Sequence, residues 1–147
     1  MSGNYSYFDI AQDDLKAATE MLRAQMYNHA TRLCQQYIEK VFKECIHKYG
    51  KNGDDLMLLH THRLAKLATR CGEIVAKLFD KLEMAFFREL TDFYFDTNYP
   101  GENYIKVSQE EAQRVFDETQ QFKETYESKL CFREDKESEL CFREDEN

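Results

Sequence analysis

Proline and glycine are scarce in this chain, with one proline and five glycines in 147 residues. A sheet-rich fold needs turn residues roughly every 8–12 positions, so this scarcity excludes one. No apolar run approaches the roughly 20 residues that span a bilayer, and no membrane contact is expected. The five cysteines, Cys34, Cys45, Cys71, Cys131 and Cys141, form no Cys-x-x-Cys pair, so zinc-site spacing is missing. Their odd number and the lack of a signal-peptide pattern fit a reducing, cytoplasmic location. A basic excess is missing as well: the net charge is −8, whereas a protein that grips nucleic acid mainly through phosphates carries a basic surface. Gly-rich phosphate loops, Ser–His–Asp sets and paired metal carboxylates are not apparent. No catalytic residue, metal or cofactor is therefore expected.

What is present reads as helix. A chain of this length makes one domain and buries roughly 70% of its unfolded surface, enough for a single core. Ile10, Leu15, Ala18, Leu22 and Met26 predict a first helix over Ile10–Met26, with Asp9 as its cap. Ala30, Leu33, Cys34, Tyr37, Ile38, Val41, Cys45, Ile46 and Tyr49 alternate by three and four. They predict a second helix over Ala30–Tyr49, capped by Asn28 and closed by Gly50. Cys34 and Cys45 share one face of it and read as small core hydrophobes. After a turn at Lys51-Asn52-Gly53-Asp54, a third helix is predicted over Leu56–Arg70, broken at Gly72. An aromatic helix follows over Glu73–Thr97. It has more than one apolar stripe, and so is either central or covered by another subunit. Asn98-Tyr99-Pro100-Gly101 ends it, because proline cannot continue a helix. A loop runs to Val107. Ser108-Gln109-Glu110-Glu111 is a capping box opening a last helix over Gln109–Tyr126. The predicted fold is an all-α antiparallel up-and-down bundle of four to five helices over residues 1–126.

Residues 127–147 form an acidic tail with eight acidic and four basic side chains. The tail holds a near-perfect duplication. Glu127-Ser128-Lys129-Leu130-Cys131-Phe132-Arg133-Glu134-Asp135-Lys136 returns as Glu137-Ser138-Glu139-Leu140-Cys141-Phe142-Arg143-Glu144-Asp145-Glu146. Two copies are too few for a solenoid. The Leu-Cys-Phe triplets do not suit one stripe of a lone helix, and are suited to clasping this subunit or a neighbour.

From Asp14 to Tyr126 the chain resembles the HEPN family. The resemblance rests on an ordered set of pieces. Asp14-Leu15 through Ala18 stand on the opening helix. Tyr27-Asn28-His29-Ala30, Gln35-Gln36, Glu39-Lys40 and Lys43 follow. Next come His62-Arg63-Leu64 with Leu67, then Tyr99-Pro100, then Glu110-Glu111-Ala112. The resemblance implies a bundle that pairs with itself, contact with nucleotides or RNA, and a minimal nucleotidyltransferase as partner in a toxin–antitoxin-type pair. Many relatives are toxin ribonucleases with an Arg-x(4–6)-His motif, which sets a guanidinium and an imidazole at a phosphodiester. This chain departs from that pattern. Asn98 stands where relatives often carry the Arg of Arg-Tyr-Pro, and no histidine follows His62. The one match, Arg23 to His29, lies at the junction of the first two helices and reads as coincidence.

The function expected from this set is a nucleotide- or partner-binding module. A metal-independent ribonuclease toxin and a purely structural interaction protein are the alternatives. The site residues that the resemblance suggests are Gln36, Lys40, Lys43 and His62. Gln36, Glu39, Lys40 and Lys43 make a polar edge. It is either a solvated face with Glu39 and Lys43 paired or a phosphate-facing patch with Gln36 reading a base or ribose. His60 and His62 would point roughly 200° apart on a helix, so they would not share a metal. His62 either bonds within the bundle or meets a ligand. Phe86, Phe87, Phe93, Tyr94 and Phe95 read as core or interface before base-stacking platforms.

Overall fold

The computed structural model describes residues 5–51, 53–75 and 79–132. Among them there is no strand. The helices are α1 (Tyr7–Arg23), α2 (Tyr27–Tyr49), α3 (Gly53–Leu58), α4 (Leu64–Val75), α5 (Lys81–Asn98) and α6 (Gln109–Phe122). A π-helical turn (Lys123–Glu127) and α7 (Ser128–Cys131) continue α6. α1 and α5 run antiparallel to α2, whereas α4 and α6 run parallel to it. Phe8 at the start of α1 meets Glu44 near the end of α2, and Arg32 near the start of α2 meets Thr97 at the end of α5. α3 and the coil after it form the return stretch between α2 and α4.

α2 is central because the other helices wrap it. From Tyr37 to Ile46 only Lys40 escapes full burial. Ile38, Val41 and Phe42 are inaccessible to solvent. Phe42 stands at the middle of an aromatic cluster, with ring centroids 5.2 Å from Phe87, 5.5 Å from Phe122 and 5.6 Å from Phe79, all edge-on. That geometry suits the ring quadrupoles. Phe86, Phe87, Leu90 and Phe93 of α5 are likewise buried within the subunit. The second apolar stripe of this helix is thus largely consumed inside one chain, leaving Leu82 exposed.

Several boundaries differ from the sequence reading, each for a local reason. α1 starts earlier because Ser6 is its cap. The Ser6 hydroxyl accepts the Asp9 amide at 3.1 Å, and the Asp9 carboxylate accepts the Ser6 amide at 3.1 Å. Asp9 is therefore the third residue of a capping box and not the cap. α1 ends at Arg23, not Met26, because Gln25 takes the left-handed conformation at φ 64°. Asn28 is not the cap of α2, which begins at Tyr27. Its side chain instead reaches across to the α5–α6 connection. There it accepts the Val107 amide at 2.7 Å and donates to the Ile105 carbonyl at 3.1 Å. Gly50 does close α2, in extended conformation. It must be glycine because a Cβ would lie 2.5 Å from the Asp55 carboxylate and 2.6 Å from the Ile46 carbonyl.

The predicted third helix, Leu56–Arg70, is in fact two pieces. The chain leaves helix at Leu58 and re-enters at Leu64. Two side chains satisfy the backbone groups that the break frees. The Thr91 hydroxyl accepts the Leu64 amide at 3.1 Å, and the Gln35 amide donates to the His62 carbonyl at 3.1 Å. Arg70 then ties the pieces by a two-point ion pair with Asp55 at 2.7 and 3.2 Å. Gly72 breaks nothing; it lies inside α4. The discontinuity falls later, where Asp80 and Glu83 form a capping box that opens α5. At the other end α5 stops at Asn98 as the Tyr-Pro-Gly signal predicts, and the Ser108–Glu111 box opens α6.

The last helix runs beyond Tyr126. Glu127–Cys131 continue it, and Leu130 and Cys131 are wholly buried. The second copy of the repeat lies outside the described residues. Ile38→Ala should cost about 2–4 kcal/mol, since the site is fully enclosed and cannot collapse freely. Denaturant melts will check this, and a loss below about 1 kcal/mol would show that the packing around α2 is wrong.

Candidate ligand cleft and the polar row behind it

α2 buries a row of polar side chains one turn apart. Gln35, Glu39 and Lys43 are 0%, 1% and 5% exposed. Lys43 Nζ bonds Glu39 Oε2 at 2.9 Å, and Gln35 Nε2 donates to Glu39 Oε1 at 3.0 Å. Glu39 Oε1 also faces Nδ1 of His62 at 3.0 Å, reached because the coil after α3 turns His62 inward at the helix break. Burial alone would push the Glu39 carboxyl up, but Lys43, Gln35 and His62 together hold it below the usual carboxylate range. An ionised carboxylate accepts only, so His62 donates from Nδ1 and keeps Nε2 as its acceptor when neutral. The imidazole is half-exposed and stands 5.2 Å from the Tyr94 ring.

The row continues outward. Gln36 donates to Gln35 Oε1 at 2.6 Å and accepts from Lys40 Nζ at 2.8 Å. Lys40 also pairs with Asp14 of α1, whose Oδ2 is shut off from solvent with Lys40 Nζ 3.5 Å away. That separation is too long for a strong hydrogen bond. Burial pushes the Asp14 carboxyl up against the pull of Lys40. Gln36, Lys40, Lys43 and His62 thus belong to one connected network. Lys43 is enclosed and neutralised by Glu39, and the Lys40 ammonium is engaged by Gln36 and Asp14. His60 and His62 lie in coil, so the helical 200° between them does not apply.

A cleft of about 320 Å³ opens where α1, α2 and α5 meet at the Gln36 end of this row. It is lined by Met21, His29, Arg32, Leu33, Gln36, Tyr94 and Asn98. Arg32 is its cation, and the sequence reading missed it. The guanidinium donates to the Thr97 carbonyl at 2.6 Å, at the open end of α5. It also donates to Nδ1 of His29, one turn away. Since Arg only donates, His29 Nδ1 accepts and its other nitrogen carries the proton. The signal was available: His29 and Arg32 are three apart and face one side of a helix. Of the Arg23–His29 spacing, Arg23 pairs with Glu20 while His29 faces Arg32.

Other concavities offer less. One, about 960 Å³, is a shallow trough on the outer side of α6 lined by acidic and amide side chains and Arg114. Arg114, which lines it, is held by Glu89 and Glu118. The four described cysteines are buried. Burial pushes the Cys34 thiol up to about 12 and raises Cys71 and Cys131 as well, so these are poor nucleophiles. Among the described residues, no cluster of His, Cys, Asp or Glu is placed to hold a metal ion, and no helix is long and apolar enough to cross a membrane.

An all-helical bundle around a polar-lined central helix is the class that this fold defines. The HEPN domain family model matches residues 5–129, and the chain belongs to the HEPN family. No curated protein and no solved structure matches it.

The carboxylates give a pH dependence of definite sign. Glu127 accepts from Tyr37 at 2.6 Å, Gln12 at 2.8 Å and Lys123 at 3.0 Å. Burial would raise its carboxyl, but these donors hold it low, as at Glu39. A group depressed in the folded state gives stability above its unfolded pKa and loses it as pH falls through the folded value. Stability should therefore be flat near neutrality and fall progressively below about pH 4.5, the ordinary glutamate value. Asp14, raised by burial, opposes the trend weakly. Urea melts from pH 7 to pH 3 will check this; stability that rises on acidification would contradict it.

Proposed function

We propose that this HEPN chain is a nucleotide- or RNA-binding module whose ligand phosphate sits in the cleft at Arg32. The observation that carries this reading is the arrangement of Arg32. Its guanidinium is oriented by the Thr97 carbonyl and His29, and it lines a cleft that also presents Gln36, Tyr94 and Asn98. A planar cation fixed at two points is suited to an oxyanion. The Gln36 and Asn98 amides are suited to a base or ribose edge, and the Tyr94 ring to stacking. The polar row behind the cleft fixes Gln36 through Gln35 and Lys40. On this reading Lys40 and Lys43 act as supports, and Arg32 is the phosphate contact. Self-pairing and work alongside a minimal nucleotidyltransferase in a toxin–antitoxin-type pair belong to the same proposal through the family. The exposed Met26, Tyr99 and Tyr104, at the cleft end of the bundle, support a protein contact there.

The test is thermal shift with AMP, ATP and a short single-stranded RNA at low salt. Binding to the folded state raises the midpoint with ligand concentration. Arg32→Ala should remove the shift, and a shift that survives in this variant would place the ligand elsewhere. Silence of the parent with every ligand would leave a purely structural interaction protein.

The His29–Arg32 contact favours a second reading, a metal-independent ribonuclease. An imidazole beside a guanidinium is the pair needed for proton transfer and charge stabilisation at a phosphodiester. Labelled RNA incubated in chelator separates the two readings. The binding module leaves it intact, whereas a ribonuclease degrades it and loses that activity in His29→Ala.

A further inference from the structure

The first copy of the duplicated segment has a defined seat on the bundle. Glu127 accepts from Gln12 and Tyr37. Leu130 and Cys131 are fully buried, and the Cys131 carbonyl accepts from Lys48 Nζ at 2.8 Å. Phe132 packs edge-on against Phe8 at 5.1 Å, with Lys48 above its ring. In the second copy Glu137, Leu140, Cys141 and Phe142 repeat each of these seat-facing residues. Across this stretch the copies differ only where Lys129 becomes Glu139, and Lys129 is exposed. The side chains that recognise the seat are therefore the same in both, and the change falls on the side facing water.

The junction before the first copy is also favourable for exchange. Lys123–Glu127 is wound as a π-helix, a wider turn that interrupts α-helical hydrogen bonding and is rarely stable over length. It marks a point where the segment can part from α6. We propose that the seat on α1 and α2 has two occupants in this chain: Glu127–Phe132, and Glu137–Phe142 after a slip of ten residues. The slip leaves residues 127–136 as a loop. Closing that loop costs entropy that the first copy, which follows α6 directly, does not incur. An attached segment still competes at an effective concentration in the millimolar range, well above that of a second chain. The first copy is favoured because it prolongs α6, and the second holds the seat when the first is weakened.

Four full-length chains test this: the parent, Leu130→Ala, Leu140→Ala and the double variant. Leu140→Ala should melt with the parent. The double should lose roughly 5–15 °C, as a fully buried leucine does when truncated. Leu130→Ala should lose less than half as much, because Leu140 replaces the missing side chain. Thiol labelling read by mass mapping gives a second measure. Protection should pass from Cys131 in the parent to Cys141 in Leu130→Ala. If Leu130→Ala melts with the double, or if both thiols react in it, the second copy does not take the seat and the proposal fails. A melting point of Leu130→Ala that rises with protein concentration, with dimer in light scattering, would assign the seat to a second chain and overturn the slip.

Discussion

The buried ion pair between Glu39 and Lys43 is the constraint around which the rest of the bundle is arranged. Two charges taken out of water are costly, and the cost is recovered only if every lone pair and proton finds a partner. Around Glu39 the fold meets that demand from several directions. Gln35 and His62 complete Glu39. The chain must therefore leave helix between Leu58 and Leu64 to bring His62 in. Thr91 of α5 then caps the restarted α4. The break, the register of α4 on α2 and the docking of α5 all meet at this one carboxylate.

The same row sets up the cleft. Gln35 holds Gln36, Gln36 holds Lys40, and Lys40 faces Asp14 on α1. A side chain lining the cleft is thus fixed from behind by a network with few exposed members, so ligand contact need not order it afresh. Arg32 is fixed separately, by the Thr97 carbonyl at the end of α5 and by His29, its neighbour on α2. The negative end of a helix holds a cation well. With Arg32 so placed, an overall acidic protein can present one localised positive site without a basic surface.

Much of the fold was legible because helical periodicity is a strong signal where apolar residues are dense. The core of α2, the stop at Tyr99-Pro100 and the Ser108 box all follow from local chemistry. The breaks were harder. Leu56–Arg70 carries acceptable helical spacing throughout, and what interrupts it is tertiary, namely Gln35 and Thr91 from other helices. Gly72 looked like punctuation but lies on α4, where helix tolerates it. The Asp80–Glu83 box was readable but hidden inside a long apolar pattern. Gln36, Lys40, Lys43 and His62 form one network. Sequence could not separate a cation facing water from one facing Glu39, because both lie on the same polar edge. Arg32 went unmarked because its role depends on the end of α5, 65 residues away.

The most direct test of this account is a double-mutant cycle on the pair itself, with Glu39→Leu, Lys43→Met and the two combined, followed by urea unfolding at pH 7. Lys43→Met alone should cost about 3 kcal/mol or more, because it leaves a buried carboxylate with only its hydrogen bonds. The combined variant should recover most of that loss, since two apolar side chains replace two charges in the same space. Additive losses, or a Lys43→Met variant as stable as the parent, would contradict the claim that the bundle is organised around this buried charge pair.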